Sequence, residues 1–382
     1  MNTQLIGNIE SQFKETFKKT PLLVFSPGRI NLIGEHTDYN EGFAFPAAID
    51  KGIVAAIQKS DSKYCTVFAV NKNEKIEFLL NEIQPIENGG WRNYVLGVIA
   101  EIQKKEGSLK PFEIAFGGDI PGGAGMSSSA ALENSIVFSL NEVFNLNFSK
   151  NEMIDISQKA EHNYVGVKCG IMDQYASMFG QENSALLLDC RSLESVPYQI
   201  DFSDYQLLLI NTNVKHNLSE SAYNDRRLVC EKIANLLQIP VLRDASENDL
   251  QNIKDKISED HYQKALYVIQ ENKRVIKASL AIQKNDLKAL GTLLYESHRG
   301  LQKQYQVSCE ELDFLVEKAK GHPDVLGARM MGGGFGGCTI NLILKSAITK
   351  FQKDVSDSYK STFNNTCSVY TVSLSNGVQV VK

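Results

Sequence analysis

What this 382-residue chain lacks narrows its function before any motif is read. It has no apolar run of membrane-spanning length. It has no block of basic residues, and with 40 Lys and Arg against 45 Asp and Glu its net charge is −5, which argues against nucleic acid or an anionic membrane as the main partner. Any phosphate it handles must be bound locally. Seven cysteines, at 65, 169, 190, 230, 309, 338 and 367, form no C-x-x-C, so reduced thiols are expected in place of a disulfide frame or a zinc site. There are no repeats or low-complexity tracts and only nine prolines, and so no evident flexible linker. The first twenty residues carry Glu10, Lys14, Glu15, Lys18 and Lys19 at helical spacing with no apolar core, unlike a signal peptide; a cytoplasmic location is the expectation. The 43% hydrophobic content is ample for buried cores, and the length suits two lobes better than one.

Three glycine-rich segments stand out against this background. The first, Gly28-Arg29-Ile30-Asn31-Leu32-Ile33-Gly34-Glu35-His36-Thr37-Asp38-Tyr39-Asn40, puts an arginine, a histidine and two carboxylates into one glycine-bounded loop. Carboxylates accept hydroxyl donors in charge-assisted bonds, so such a set suits a polyol, although Gly, Asn and Asp also mark ordinary turns. The second, Pro121-Gly122-Gly123-Ala124-Gly125-Met126-Ser127-Ser128-Ser129-Ala130-Ala131, follows a strand-like run and opens a helical pattern lasting through Phe144. Strand, glycine loop and helix start bring backbone N–H groups and the positive helix end to an anion. One serine suffices for capping, and three in a row exceed that need. No lysine follows the last glycine, so this is not a Walker A loop. The third segment, Gly327-Ala328-Arg329-Met330-Met331-Gly332-Gly333-Gly334-Phe335-Gly336-Gly337-Cys338-Thr339-Ile340, spells G-x-G-x-x-G but leads into a strand, which fails the dinucleotide-binding context.

Together the three segments resemble the signature motifs of the galactokinase family within the GHMP kinase superfamily, and the likeness extends over nearly the whole chain. Met126 stands where the family usually has leucine, and Met331 where threonine is common. The resemblance implies an α+β, two-lobed GHMP kinase fold, with a mixed-sheet N-terminal lobe, an antiparallel-sheet C-terminal lobe and the active site between them. It implies ATP-dependent phosphorylation of the anomeric hydroxyl of α-D-galactose, the first committed step of galactose use. Galactose and ATP would be the partners and Mg2+ the cofactor, with no nucleic acid or membrane involved and a monomer or weak homodimer as the assembly.

Site residues follow from the same likeness, position by position. Asp173, in Gly170-Ile171-Met172-Asp173-Gln174, would be the base, with Arg29 against it. Whether Asp173 takes the proton or only orients the hydroxyl stays open. Glu35, His36, Asp38, Gly170, Asp173 and Tyr223 would contact the sugar. Gly122, Gly123, Ala124, Gly125, Met126, Ser127, Ser128 and Ser129 would cradle the nucleotide phosphates, with Trp91 and Tyr94 near adenine, although Trp91 equally suits an apolar core stripe. Ser129 and Glu161 would be the magnesium pair, oxygen donors suited to a hard cation. Neighbouring His162 is read as structural. Two alternatives remain: a catalytically weak galactose and ATP sensor regulating transcription, and a kinase for another sugar such as N-acetylgalactosamine or arabinose. The complete run Ser127-Ser128-Ser129-Ala130-Ala131, with Asp173 and Arg29, argues for catalysis.

Periodicity predicts the elements that carry these residues. Extended runs fall at Leu22–Ser26, Phe43–Gln58, Cys65–Val70 and Lys75–Leu80, and Trp91, Val95, Val98, Ile99 and Ile102 recur at helical spacing. Helices are expected through Phe144, near Asn151–Tyr164 and at Ile171–Phe179, followed by a strand at Ala185–Asp189. The second half reads as a strand at Leu207–Asn211, helices between Ser219 and Lys320, the third-motif hairpin, a helix near Ala347–Tyr359 and a last strand Ser368–Leu374. The lobes are expected to span 1–195 and 196–382.

Overall fold

A computed structural model describes residues 2–105, 108–215 and 219–381. Its largest sheet has six strands, in the order Gln379–Val380, Leu22–Asn31, Pro46–Lys59, Phe112–Gly118, Cys65–Ala69 and Glu74–Phe78. All neighbours are antiparallel except Cys65–Ala69 with Phe112–Gly118, the crossover between them carrying the helix Trp91–Lys104. Both faces are covered. Alternate residues point to opposite sides, so Ala55 and Ile57 join Val95, Val98, Ile99 and Ile102 beneath the helices, while Phe25, Val54 and Ala56 meet Ile9 and Phe13 of the helix Thr3–Phe17.

The cap chemistry is local. Asn2 accepts from the Leu5 N–H at 3.2 Å to start the first helix, and Ser149 with Glu152 forms a reciprocal capping box for Lys150–Ala160. That helix ends in a π-helical turn, Glu161–Val165, and a second such turn, Leu301–Tyr305, ends Leu287–Gly300. Each re-aims the side chains of one turn.

A four-stranded antiparallel sheet, Val325–Met330, Gly336–Leu344, Tyr205–Lys215 and Ser368–Thr371, forms the other lobe, and a three-stranded sheet joins Phe43–Ala44, Ser184–Asp189 and Glu194–Gln199. The run expected as one strand over 43–58 is therefore two, divided at the fully buried Phe45, because its halves pair in different sheets. Glu194–Gln199 was not anticipated, nor was Gln379–Val380, which returns the chain's end to the first sheet beside Leu22–Asn31. The expected last strand stops at Thr371, with Leu374 making only an isolated bridge to Ile49. One apolar cluster spans the two lobes, packing Ile30, Leu32 and Phe45 with Leu207, Leu209, Ile340 and Leu342. No helix among the described residues is long and apolar enough to cross a membrane.

Candidate active site

Register breaks in the first strand between Pro27 and Arg29. Proline cannot donate to the ladder, and an irregularity there re-aims the following side chain. Gly28 is required on steric grounds, since a Cβ on it would lie 2.5 Å from the Met126 carbonyl oxygen. This close approach lets the Arg29 N–H donate to Met126 O at 3.2 Å and its Nη1 donate to Gly125 O at 2.6 Å. The remaining guanidinium edge meets Asp173 in a fork, Nε to Oδ1 and Nη2 to Oδ2, both 2.7 Å. Arg29 is buried, and although burial opposes its charge, Asp173, Glu35 and Asp38 together raise its pKa further.

Asp173 lies in the first turn of Met172–Phe179 and faces a cavity of about 150 Å³. Arg29, Glu35, His36, Asp38, Gly170, Asp173 and Tyr223 all line it, together with Glu161 and with Gly332 and Gly333 of the third motif. A larger cleft of about 780 Å³, bordered by Asp201, Gln206, Gln283 and Lys345, contains none of the predicted residues. Chemistry therefore favours the smaller one, where converging charged groups outweigh volume.

Around the cavity each acidic residue is held differently. Glu35 Oε1 accepts from the Gly332 N–H at 2.8 Å and from Arg329 Nη2 at 3.1 Å. Arg329 is fully buried and also donates to the carbonyls of Asn31, Leu32 and Met330, stitching the first motif to the third. The left-handed Gly34 (φ 101°) gives its N–H to buried Glu271 at 3.0 Å, and Ser297 Oγ donates to the same carboxylate oxygen at 2.6 Å. Asp38 accepts from the Tyr39 N–H at 2.9 Å, yet burial first, and the Asp173 charge second, push its pKa up to about 7. A Cβ on Gly170 would overlap the Asp38 carboxylate, so any larger residue there must displace Asp38.

His36 is fixed from both sides. Since the Gly333 carbonyl can only accept, His36 Nε2–H donates to it (3.2 Å), leaving Nδ1 to accept from the Tyr39 hydroxyl at 2.8 Å. Tyr39 in turn accepts from Tyr305 at 2.6 Å, and Tyr305 from the Cys230 thiol at 3.3 Å. Burial pushes the His36 pKa down to about 3, so the ring is neutral. Tyr223 packs against it with ring centroids 5.2 Å apart.

In the second glycine segment, Gly123 and Gly125 take positive φ, Gly122, Gly123 and Ser128 are exposed, and Ala124 and Met126 are buried. Met331 is buried in the same apolar cluster as Met126. Helix Ser128–Phe144 begins with no side-chain cap from Ser127, and a helix start of this kind has the N–H donors that suit an anion. Ser127 occupies the cap position, but its hydroxyl donates to Asp173 Oδ2.

Glu161 is placed by the π-helical turn and borders the cavity. The Gln174 amide donates to Glu161 at 3.1 Å and to buried Glu133 at 3.2 Å, while Glu133 Oε1 has no protein partner. Ser129 is one helical turn before Glu133 and half-buried. Hydroxyl and carboxylate oxygens are donors of the kind that suit magnesium, and among the described residues no group of three His, Cys, Asp or Glu is placed to hold a metal. His162 donates to Cys169 O at 2.8 Å, tying the turn that precedes Gly170. Trp91 and Tyr94 do not line the cavity. Trp91 donates to Glu74 at 2.8 Å and packs its ring against Phe116, centroids 5.3 Å apart.

Sequence reasoning missed Arg329, Glu271, Gln174, Tyr39 and Tyr305 as site-builders. An arginine inside the apolar strand Val325–Met330 was the one available signal.

Residues 93–181 match the GHMP kinases N-terminal domain and residues 278–361 the GHMP kinases C-terminal domain, so the fold and site define a GHMP kinase. Residues 11–59 match the galactokinase galactose-binding signature. A galactokinase from Thermotoga petrophila is 39% identical over 94% of this chain and 99% of its own, and one from Clostridium beijerinckii is 39% identical over 98% and 99%. The crystal structure of Lactococcus lactis galactokinase complexed with galactose superposes with a TM-score of 0.94 at 36% identity, covering 98% of this chain and 99% of that one. Methanococcus jannaschii mevalonate kinase, at 19% identity and a TM-score of 0.66, shares the fold. The chain belongs to the galactokinase family of GHMP kinases.

Proposed function

We propose that this protein transfers the terminal phosphoryl group of ATP to the anomeric hydroxyl of α-D-galactose, yielding α-D-galactose 1-phosphate and ADP. The observation that carries the reading is the Arg29–Asp173 fork between two half-sites, a cavity ringed by Glu35, Asp38 and Tyr223 on one side and the uncapped start of Ser128–Phe144 on the other. Phosphoryl transfer is mostly positioning and electrostatics. Asp173 accepts the hydrogen bond of the attacking hydroxyl and receives its proton as the new P–O bond forms and the bond to the ADP oxygen breaks. Arg29 holds the carboxylate in place and offsets the negative charge gathered there. Glu35 and Asp38 hold the ring hydroxyls, Gly170 lets the sugar and Asp38 approach its backbone, and His36 and Tyr223 form the aromatic wall. Residues 122–129 take the phosphates, Ser127 through its backbone, and Trp91 and Tyr94 border the base. Magnesium, held by Ser129 and Glu161, would neutralise phosphate charge. We read the lobes as 1–195 and 196–382, and the setting as cytoplasmic.

A coupled ADP-release assay with ATP, magnesium and a panel of hexoses tests the assignment. Galactose should exceed glucose, its 4-epimer, by at least ~10² in kcat/KM, because inverted hydroxyls leave buried acceptors unpaired at ~1–3 kcal/mol each. Equal efficiency on glucose would reject this reading of Glu35 and Asp38.

A further inference from the structure

The Ser127 hydroxyl, at the end of the glycine and serine loop, is turned to Asp173, and three observations bear on why. Its backbone is left-handed, φ 55° and ψ 56°, a region that glycine enters freely and serine only at a cost. The same loop uses glycine at its other positive-φ positions, 123 and 125. A side chain retained at 127 despite the strain points to use of its hydroxyl. Second, Ser127 stands at the N-cap of a 17-residue helix without capping it. Third, the hydroxyl donates to Asp173 Oδ2, the oxygen that also accepts from Arg29 Nη2.

We propose that Ser127 is a positioning residue through which the phosphate loop holds Asp173 in its acceptor orientation. Arg29 provides a parallel connection, since it binds Asp173 with one edge and the loop carbonyls of Gly125 and Met126 with Nη1 and its backbone N–H. Two threads thus join the loop that receives phosphates to the carboxylate that receives the sugar hydroxyl. A carboxylate fixed by Arg29 alone can still pivot about the fork, and the third donor removes that freedom. Loop and carboxylate then move as one unit when the nucleotide binds.

The inference rests on the assignment of Asp173 above, and the test separates the two. Ser127→Ala and Ser127→Gly both remove the hydroxyl, while glycine also relieves the left-handed strain, so the pair distinguishes hydrogen bonding from backbone shape. For both variants kcat should fall about tenfold, the worth of one charge-assisted hydrogen bond, with galactose affinity measured calorimetrically without nucleotide kept within about twofold. Ser127→Thr, which keeps the hydroxyl, should recover part of the loss. Ser127→Gly at wild-type turnover would overturn the proposal in favour of a purely conformational role. A rise in the KM for Mg·ATP with kcat unchanged would overturn it in favour of a phosphate contact. Asp173→Asn serves as the control. If that variant is inactive while the Ser127 variants are normal, only the positioning role falls; if Asp173→Asn itself turns over normally, the base assignment falls first.

Discussion

Galactose binding should be coupled to proton release from Asp38. In the sugar-free protein this buried carboxyl has a pKa near 7, raised by burial and by the neighbouring Asp173 charge against the help of the Tyr39 N–H. At mildly acidic pH it is therefore largely protonated. Sugar hydroxyls arriving as donors favour the charged form, and two such bonds, at roughly one pKa unit each, would bring the bound value to about 5. Linkage then gives the magnitude: the affinity for galactose weakens roughly twentyfold between about pH 8 and about pH 5.5, and near pH 6 binding releases about 0.8 proton. Stability carries the opposite sign in the free protein. Between the ordinary value of 3.8 and about 7 the folded state keeps a proton that the unfolded chain has lost, so this group makes sugar-free protein less stable as pH rises. Calorimetric titration in buffers of different ionisation enthalpy measures the proton directly. Asp38→Asn, which has no proton to lose, should bind more weakly and without this pH dependence. A galactose Kd flat from about pH 5.5 to 8, or heat independent of buffer, would refute the reasoning.

The other predictions concern separate parts of the site. Asp173→Asn should fold normally and bind galactose, with turnover lowered at least ~10²-fold in the coupled assay; near-normal turnover would remove Asp173 from the mechanism. Glu161→Ala should weaken productive use of Mg·ATP while sparing galactose, and a titration showing sugar lost but nucleotide retained would reverse our division of the site. Gly170→Ala should raise the galactose KM at least ~10-fold by pushing Asp38 aside, a change visible in steady-state kinetics, and an unchanged KM would show that Asp38 has room to yield. Arg329→Met should cost about 3–5 kcal/mol in urea unfolding, because it leaves Glu35 buried beside an apolar chain; a loss under about 1 kcal/mol would show Glu35 to be held by Gly332 alone.

Much of the site was legible because its residues cluster in short glycine-marked segments, and the helices were legible because their apolar stripe is regular, as from Val95 to Ile102. What escaped depends on tertiary pairing. Glu194–Gln199 alternates around Ser195, Pro197 and Gln199 with little apolar content, so it becomes a strand only against Ser184–Asp189. Phe43–Gln58 reads as one extended run since nothing local says that Phe45 divides two sheets. Arg329 and Glu271 lie 297 and 237 residues from the backbone groups they bind, Leu32 and Gly34, and no spacing rule connects them. The π-helical turns are equally silent in sequence, although one of them sets the direction of Glu161.

The pairing of Gln379–Val380 with Val24 and Phe25 has a consequence for how the protein is made. Gln379–Val380 leaves the ribosome long after the strand that delivers Arg29, although the two are neighbours in the sheet. Until residues 379–380 have been made, that strand presents a bare edge of N–H and C=O groups to other nascent chains. A chain released before residue 379 would carry Arg29, Glu35, Asp38 and Asp173 with that edge uncovered. Gln379–Val380 thus serves as a seal on the sheet more than as a part of the site's chemistry.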